Sequence, residues 1–183
     1  MTLVVLDLGS NIDREESLAA ALEKLAGRFE LRRSSAVYKT KPVGMANQPD
    51  FFNISLELET DKSIAEIQAA AREIEDEMGR DRTGPRFGPR NIDIDVVLYG
   101  DEVSAEQDVP HPQSTNELFV VGPLADLRPD GKHPETGEPW KEMRNRLMNG
   151  RSPKDAGIVR QCEVSELPLG DKAKAALLKS VAG

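Results

Sequence analysis

Two aspartates, Asp93 and Asp95, stand two positions apart in a segment whose intervening residues are apolar. This alternation predicts a β-strand that carries both carboxylates on one face. The opposite face of the predicted strand holds Ile92, Ile94, Val96 and Leu98. The two carboxylates would lie roughly 7 Å apart along the strand, where they can hold one divalent cation or bridge two. Mg²⁺ suits such a pair because it prefers oxygen ligands and keeps water or substrate phosphates as its remaining ligands.

Four arginines precede the predicted strand and decide between two interpretations of the aspartates. They are Arg80, Arg82, Arg86 and Arg90. An Asp-x-Asp pair alone is typical of a solvated strand face, and an arginine-rich loop alone is typical of solvated charge. Guanidinium groups bind phosphates in a bidentate manner, and metal ions stabilise phosphate groups during transfer. The two features together therefore favour a phosphate-transfer site.

The composition limits the class of protein. The chain has 183 residues, 38% of them hydrophobic and 31% charged, which predicts one soluble globular domain with a sizeable core. Its formal net charge of −8 argues against general nucleic-acid binding, and no apolar run approaches the length of a membrane span. Cys162 is the only cysteine, which excludes an intrachain disulfide and fits a reducing cytoplasm. We therefore expect a cytoplasmic monomer whose partners are small molecules.

The remaining pattern predicts an alternation of strands and helices. Strands are expected at residues 3–8, 29–38, 51–59 and 92–98. Asp13 begins the first predicted helix, and a capping box formed by Ser63 and Glu66 begins the second. The resulting β-α-β-β-α-β order is typical of a ferredoxin-like α+β fold. Both helices would cover one face of the sheet, so Phe51, Asn53 and the two aspartates would share the opposite, open face.

The later part of the chain gives weaker signals. We expect a rigid turn at Val109-Pro110-His111-Pro112, a short apolar segment at 119–124, a loop at 128–140 and an amphipathic helix at 172–181. Residues 150–170 show no clear pattern. One domain is therefore predicted at residues 1–149, with a C-terminal extension at residues 150–183 packed on it. The chain lacks glycine-rich phosphate-binding motifs and any Cys/His cluster, so a nucleotide would be held by arginine side chains and metal.

Two loops are candidates for lids over the site. Residues 39–50 and 80–90 are long, polar stretches rich in glycine, proline or arginine. They bury too little apolar surface to be rigid alone, and we expect the arginines of the second loop to repel one another until an anion binds. Closure of both loops would exclude water from the reaction.

Four motifs occur in order along residues 3–130. They are Leu8-Gly9-Ser10-Asn11; Tyr38-x-Thr40-x-Pro42-x-Gly44 with Gln48-Pro49-Asp50-Phe51-Phe52-Asn53; Phe87-Gly88-Pro89-Arg90-Asn91-Ile92-Asp93-Ile94-Asp95; and Val109-Pro110-His111-Pro112 with Phe119-Val120-x-x-Pro123-Leu124. In these motifs the chain resembles the 6-hydroxymethyl-7,8-dihydropterin pyrophosphokinase family, whose signature is the third motif. The resemblance implies a ferredoxin-like enzyme of folate biosynthesis. Such an enzyme transfers pyrophosphate from ATP to the hydroxymethyl oxygen of the pterin and releases AMP.

The resemblance also implies roles for individual residues. Two Mg²⁺ ions would lie on Asp93 and Asp95 and bridge the ATP phosphates. The pterin would be bound by Thr40, Val43, Phe51, Asn53, Phe87 and Phe119, with Phe51 and Phe119 stacking on its two sides. ATP would be bound by Glu75, Arg80, Arg82, Arg90, Val96 and His111. The catalytic set would be Arg82, Arg90, Asp93 and Asp95.

Three departures from the family pattern keep a second interpretation open. The family often has a basic residue near Thr83, an arginine-containing stretch where this chain has Glu106-Gln107-Asp108, and an arginine at or next to Glu117. The alternative is a module of the same fold that binds pterin and nucleotide with impaired catalysis. An RNA-binding module is disfavoured because Glu57, Glu59 and the two aspartates on the sheet would repel a polyanion.

Overall fold

An antiparallel sheet with helices on both faces organises the chain, of which the computed structural model describes residues 1–84 and 88–178. Its strands within these ranges are β1 (Thr2–Ser10), β2 (Glu30–Ser34), β3 (Val37–Thr40), β4 (Phe51–Thr60), β5 (Asp93–Tyr99) and β6 (Ile158–Cys162). The helices are α1 (Arg14–Ala26), α2 (Ile64–Glu77), α3 (Leu118–Leu127), α4 (Trp140–Met148), α5 (Pro153–Ala156) and α6 (Asp171–Leu177). The strand order is β5-β1-β4-β3-β6, and β2 also pairs with β4.

Helices α1 and α2 cover one face of the sheet with the apolar stripes that the sequence predicts. Those stripes are Leu18, Leu22 and Leu25 in α1 and Ile64, Ile67, Ala71 and Ile74 in α2. The capping box of α2 is confirmed, because Ser63 N donates to Glu66 Oε2 at 2.8 Å and Glu66 N donates to Ser63 Oγ at 3.4 Å. The expected cap of α1 is wrong in detail. Asp13 stands at the N-cap position with a left-handed φ of 42°, and its side chain accepts no capping hydrogen bond.

The opposite face of the sheet is partly covered, so the expectation of an open face is wrong. Helix α3 lies there, and its Val121 and Leu124 form a second core with Val5 of β1 and Trp140 of α4. The apolar segment at residues 119–124 is therefore helical. Because α3 buries residues around most of its circumference, it lacks the alternation of apolar and polar faces by which a sequence predicts a helix.

A β-bulge changes the predicted face of one strand residue. In the β1–β5 pairing, Leu6 opposes Val96 and Val5 opposes Leu98, which leaves Val97 as an extra residue on β5. Leu98 consequently packs in the second core with α3, whereas the strict alternation placed it with Val96 on the face of α1 and α2. Val97 therefore stays on the face that carries the two aspartates, and the bulge adds Leu98 to that face.

The predicted strand at residues 29–38 is two strands, and the predicted loop at 39–50 is shorter. The strand is interrupted between β2 and β3, where Ala36 N donates to Asp126 Oδ2 at 2.9 Å. Strand β3 continues through Thr40, so the loop begins two residues later, at Lys41.

The extension that showed no clear pattern completes the sheet. Strand β6 pairs with β3, and α6 is anchored on α1, where Ala173 N donates to Glu23 Oε2 at 2.9 Å. Within the described ranges, every helix is too short or too polar to cross a bilayer.

Candidate active site

A cavity of about 390 Å³ opens where β1 ends and β4 and β5 begin. Nine residues that the sequence singles out line it: Thr40, Val43, Phe51, Asn53, Arg90, Asp93, Asp95, His111 and Phe119. Antiparallel pairing brings them together, because the ends of three strands and the beginning of α3 meet at this end of the sheet. The cavity therefore combines a carboxylate pair, cationic groups and aromatic rings.

The two aspartates lie side by side on β5 in different environments. The Asp93 carboxylate forms ion pairs with two arginines, one oxygen with Arg80 Nη1 and the other with Arg90 Nη1 at 2.5 Å. Burial raises the pKa of Asp95 to about 7, and the neighbouring charge of Asp93 adds to the effect. Asp95 therefore titrates near neutral pH, and a cation that binds beside it would stabilise its ionised form.

Glu75 organises two of the arginines from outside the cavity. Its carboxylate is buried, accepts a hydrogen bond from Ile94 N at 2.8 Å, and lies 3.3 Å from Arg80 Nη1 and 2.7 Å from Arg82 Nη2. Burial raises its pKa, although these donors act in the opposite direction. Ile94 lies on the edge strand β5, where its N–H has no neighbouring strand to bond within the described residues, so Glu75 supplies the acceptor. The same carboxylate positions the guanidinium groups of Arg80 and Arg82.

The arginines are paired with carboxylates, which differs from the expected mutual repulsion. Arg80 and Arg90 bracket Asp93, whereas Arg82 contacts Glu75 and Asp76 and does not line the cavity. Carboxylates therefore take the place that was expected for a bound anion. The positive charge at this loop is compensated within the protein.

Val96 was also predicted to bind ATP, but it does not line the cavity. Val96 lies in the core between the sheet and helices α1 and α2, and the bulge residue Val97 lines the cavity instead. Phe87, together with Arg86, lies outside the described residues, so its predicted contact with the pterin remains a prediction.

The polar floor of the cavity depends on a glycine. Asn53 Nδ2 donates to Thr40 Oγ1 at 2.6 Å, and its Oδ1 lies over Gly9, where a Cβ atom would be only 2.7 Å away. The same Cβ would be 3.9 Å from the ring of Phe51. Gly9 thus provides the space in which the amide and the aromatic ring lie next to each other.

His111 stands at the rim of the cavity in a fixed orientation. Its backbone N–H donates to Val97 O at 3.0 Å, and its Nδ1 accepts from Gln113 N at 3.3 Å at the start of the 3-10 turn Pro112–Thr115. Burial lowers the pKa of this imidazole. The ring is therefore favoured in its neutral form, with Nδ1 as an acceptor.

Asp7 lines the same cavity, although the sequence singled it out only as part of the predicted strand at residues 3–8. It opposes Asp95 on β5 and Ser55 on β4. Ser55 Oγ donates to Asp7 Oδ1 at 2.5 Å, while Asp7 Oδ2 is buried and has no hydrogen-bond partner in the described chain. The available signal was its alternation with Gly9, two positions on, which the surrounding apolar run obscured.

Asn11 connects the two predicted lid loops and was also missed. Its Nδ2 donates to Gln48 Oε1 at 2.9 Å and to Pro49 O at 3.0 Å, and its Oδ1 accepts from Arg90 N at 2.9 Å. Because these partners belong to different loops, one buried amide links their positions. The motif Leu8-Gly9-Ser10-Asn11 thus serves the site through its last residue.

Solved structures share this mixed α/β fold. One HPPK-DHPS crystal structure in complex with substrates has a TM-score of 0.68 at 12% identity and covers 87% of this chain and 48% of its own. A Plasmodium falciparum HPPK-DHPS triple mutant with pteroate has a TM-score of 0.64 at 13% identity and covers 87% of this chain and 46% of its own. The chain spans about half the length of these structures. At these identities the likeness concerns the fold alone.

Sequence comparison identifies the family. The model of the family 7,8-dihydro-6-hydroxymethylpterin-pyrophosphokinase (HPPK) matches residues 5–129. A 2-amino-4-hydroxy-6-hydroxymethyldihydropteridine pyrophosphokinase from Aquifex aeolicus is 38% identical over 147 residues, which are 79% of this chain and 91% of the relative. Its counterpart from Bacillus subtilis is 40% identical over 125 residues, 66% of this chain and 74% of the relative. The chain belongs to the 7,8-dihydro-6-hydroxymethylpterin-pyrophosphokinase family.

Proposed function

We propose that the protein transfers pyrophosphate from ATP to 6-hydroxymethyl-7,8-dihydropterin in folate synthesis, through the residues that line the cavity. Membership in the family supports an ATP-dependent pyrophosphokinase. The observation that carries the assignment of the site is that Asp93 and Asp95 face the same cavity as Asn53 and Phe51. An amide and an aromatic ring that suit a flat heterocycle are thus next to two carboxylates that suit a phosphate-bound metal.

The carboxylate pair fits Mg²⁺ by its chemistry. Asp93 and Asp95 offer hard oxygen donors. Burial and the charge of Asp93 raise the pKa of Asp95, and a bound cation would stabilise its ionised form. Within residues 1–84 and 88–178, no cluster of three or more acidic, His or Cys side chains could hold a metal ion. Phosphate oxygens and water would therefore complete the coordination. When bound, two Mg²⁺ ions neutralise phosphate charge and polarise the attacking hydroxyl.

The pterin is proposed to lie between the two aromatic residues of the cavity. Phe51 and Phe119 both line it, one from the beginning of β4 and the other from the beginning of α3. Asn53, held by Thr40, would hydrogen-bond the heterocycle, and the backbone near Val43 would contact its edge. A pterin placed in this way directs its hydroxymethyl group towards the strand that carries the aspartates.

The triphosphate is proposed to bind the arginines that now contact carboxylates. Arg90 lines the cavity, and Arg80 contacts the same Asp93 from behind. His111 at the rim would contact ATP, while Arg82 and Glu75 would support the nucleotide from outside the described cavity. Val96 is buried in the core, so any role in ATP binding is limited to its backbone.

The chemistry is attack by an alcohol on a phosphorus atom of a highly charged nucleotide. The protein side chains position the two substrates in line and stabilise charge on the departing AMP. The loops at 39–50 and 80–90 would exclude water, and Asn11 couples them. The aspartates then act as ligands for the metal and do not serve as a general base.

The chain's architecture is compatible with a ferredoxin-like unit at residues 1–149. The antiparallel order of β5, β1, β4 and β3 with α1 and α2 on one face supports it. Residues 150–183 are proposed to be part of the same unit, because β6 pairs with β3.

The direct test measures AMP formation from ATP. We expect AMP only when 6-hydroxymethyl-7,8-dihydropterin and Mg²⁺ are both present. Asp95→Asn should abolish it, whereas the control Asp130→Asn, on an exposed loop, should not. ATP hydrolysis that does not depend on pterin would contradict the proposal. Pterin and nucleotide binding without AMP formation would favour the alternative, a module of the same fold with impaired catalysis. No observation in the described residues favours that alternative.

A further inference from the structure

Asp7 carries an oxygen that the protein leaves without a partner. The residue is 9% exposed, and Ser55 Oγ donates to its Oδ1 at 2.5 Å. Its Oδ2 is fully buried and forms no hydrogen bond within the described ranges. Buried polar groups in proteins are nearly always hydrogen-bonded, so an orphan atom calls for a specific explanation.

The side chain of Asp7 lines the cavity. In strand β1, Leu6 and Leu8 point to the core on the side of α1 and α2, so Asp7 points to the other face, together with Gly9. It opposes Ser55 on one side and Asp95 on the other. Asp7 therefore forms the inner end of the cavity, one row of residues deeper than Gly9.

Fold stability alone does not account for an aspartate here. Burial of a carboxyl group is unfavourable, and Asp7 lies directly opposite a second carboxyl group, Asp95. Its second oxygen also lacks a partner, which destabilises the folded chain further. An apolar residue would fill this buried place without either penalty. Groups that lower stability in this way cluster at functional sites.

A role as a third metal ligand does not fit the geometry. Asp7 does not form, with Asp93 and Asp95, a cluster that could hold a metal ion within the described chain. The remaining group that can reach the inner end of this cavity is the bound heterocycle. A pterin carries ring nitrogens along its edges, and these can donate to or accept from a carboxyl group.

We propose that Asp7 is a specificity-determining residue, whose carboxyl group hydrogen-bonds the nitrogen-bearing edge of the pterin at the inner end of the cavity. This inference rests on the proposed function, because it assigns one more contact to the same substrate. Ser55 acts as a positioning residue that fixes the carboxyl group through its Oδ1. Asn53 and Asp7 then contact the pterin from neighbouring rows of the sheet.

The test compares Asp7→Leu and Asp7→Asn with the wild-type chain. Calorimetry measures binding of 6-hydroxymethylpterin in the presence of Mg²⁺ and α,β-methylene-ATP. We expect Asp7→Leu to bind the pterin at least tenfold more weakly, with nucleotide affinity and Mn²⁺ affinity unchanged within twofold. Its thermal midpoint should be equal to or above that of the wild type, because the buried carboxyl group and its orphan oxygen are gone. Asp7→Asn, which keeps the size and an acceptor for Ser55, should lose less affinity than Asp7→Leu.

Three outcomes would contradict the inference or the proposed function on which it rests, and each identifies which of the two fails. If the wild type does not bind the pterin, the proposed function fails. If it binds and Asp7→Leu binds equally well, the contact alone is refuted and Asp7 is a structural residue. If Mn²⁺ affinity falls while pterin affinity stays, Asp7 acts on the metal centre, which also refutes the contact. The Asn variant keeps the test valid should the Leu variant fail to fold.

Discussion

Replacing Gly9 with alanine should damage pterin binding while leaving the fold intact. The new Cβ would lie 2.7 Å from Asn53 Oδ1, whereas ordinary contact begins at 3.4 Å, so the amide must move by about 0.7 Å (3.4 minus 2.7). That movement breaks or weakens the 2.6 Å hydrogen bond from Asn53 to Thr40. A buried amide without its partner costs about 1–3 kcal/mol, which corresponds to roughly 5- to 150-fold weaker pterin binding.

The stability of the free protein should change much less. Alanine restricts the unfolded chain, which stabilises a strand position by about 0.4–1 kcal/mol. In the free protein the displaced Asn53 amide can also hydrogen-bond water in the cavity, and a bound pterin removes that water. The loss therefore appears mainly in binding and not in folding.

Calorimetry with 6-hydroxymethylpterin and a non-hydrolysable nucleotide measures the effect. Gly27→Ala is the matched control, because Gly27 ends α1 far from the cavity with φ −76° and its Cβ would be no closer than 3.4 Å to other atoms. Nucleotide affinity should be unchanged in both variants. Wild-type pterin affinity in Gly9→Ala would refute the placement of Asn53 in the pterin site.

Three further predictions concern the metal pair, the aromatic residues and one histidine. Asp93→Asn and Asp95→Asn should each lower AMP formation by at least about 100-fold, since a metal contributes several kcal/mol to the transition state; Mn²⁺ binding checks the cause, and near-normal turnover would refute it. Phe51→Ala and Phe119→Ala should weaken pterin binding by about 1–3 kcal/mol each, with nucleotide binding preserved. Calorimetry measures both affinities, and unchanged pterin affinity in both variants would refute the stacking. His133 is 2% exposed with Nδ1 accepting from two backbone N–H groups at 3.2 Å, and burial lowers its pKa. Stability should therefore fall as pH drops below about 6.5 towards that lowered pKa, and urea unfolding of His133→Gln should show a weaker pH dependence than the wild type.

Local patterns predicted the elements whose side chains alternate clearly. Strand β4 and the stripe of α2 follow from residues such as Phe52 and Ile67, because one face is apolar and the other is polar. The placement of Asp93 and Asp95 on the cavity face follows from the same alternation. These features depend on short-range order alone, so a single sequence suffices.

Features set by pairing between distant segments were not predictable. The bulge at Val97 arises from the register between β1 and β5, which no local pattern encodes. Strand β6 adds to an edge with polar residues such as Arg160, and its identity depends on β3 as a neighbour. The roles of Asp7 and Asn11 likewise come from their cross-strand and cross-loop partners.

The double ion pair at Asp93 has a consequence for how the substrates arrive. Two guanidinium groups hold the carboxylate where a divalent cation would bind, and the carboxylate holds the guanidinium groups where phosphates would bind. A lone cation or a lone nucleotide that enters must leave one of these charges without a counterion. The preassembled magnesium–nucleotide complex avoids this, because it exchanges internal ion pairs for new ones of both signs at once. If Asp93 and the arginines bind metal and phosphate as proposed, the resting site would discriminate against either component alone, and a protein of net charge −8 would admit a polyanion by exchange of counterions.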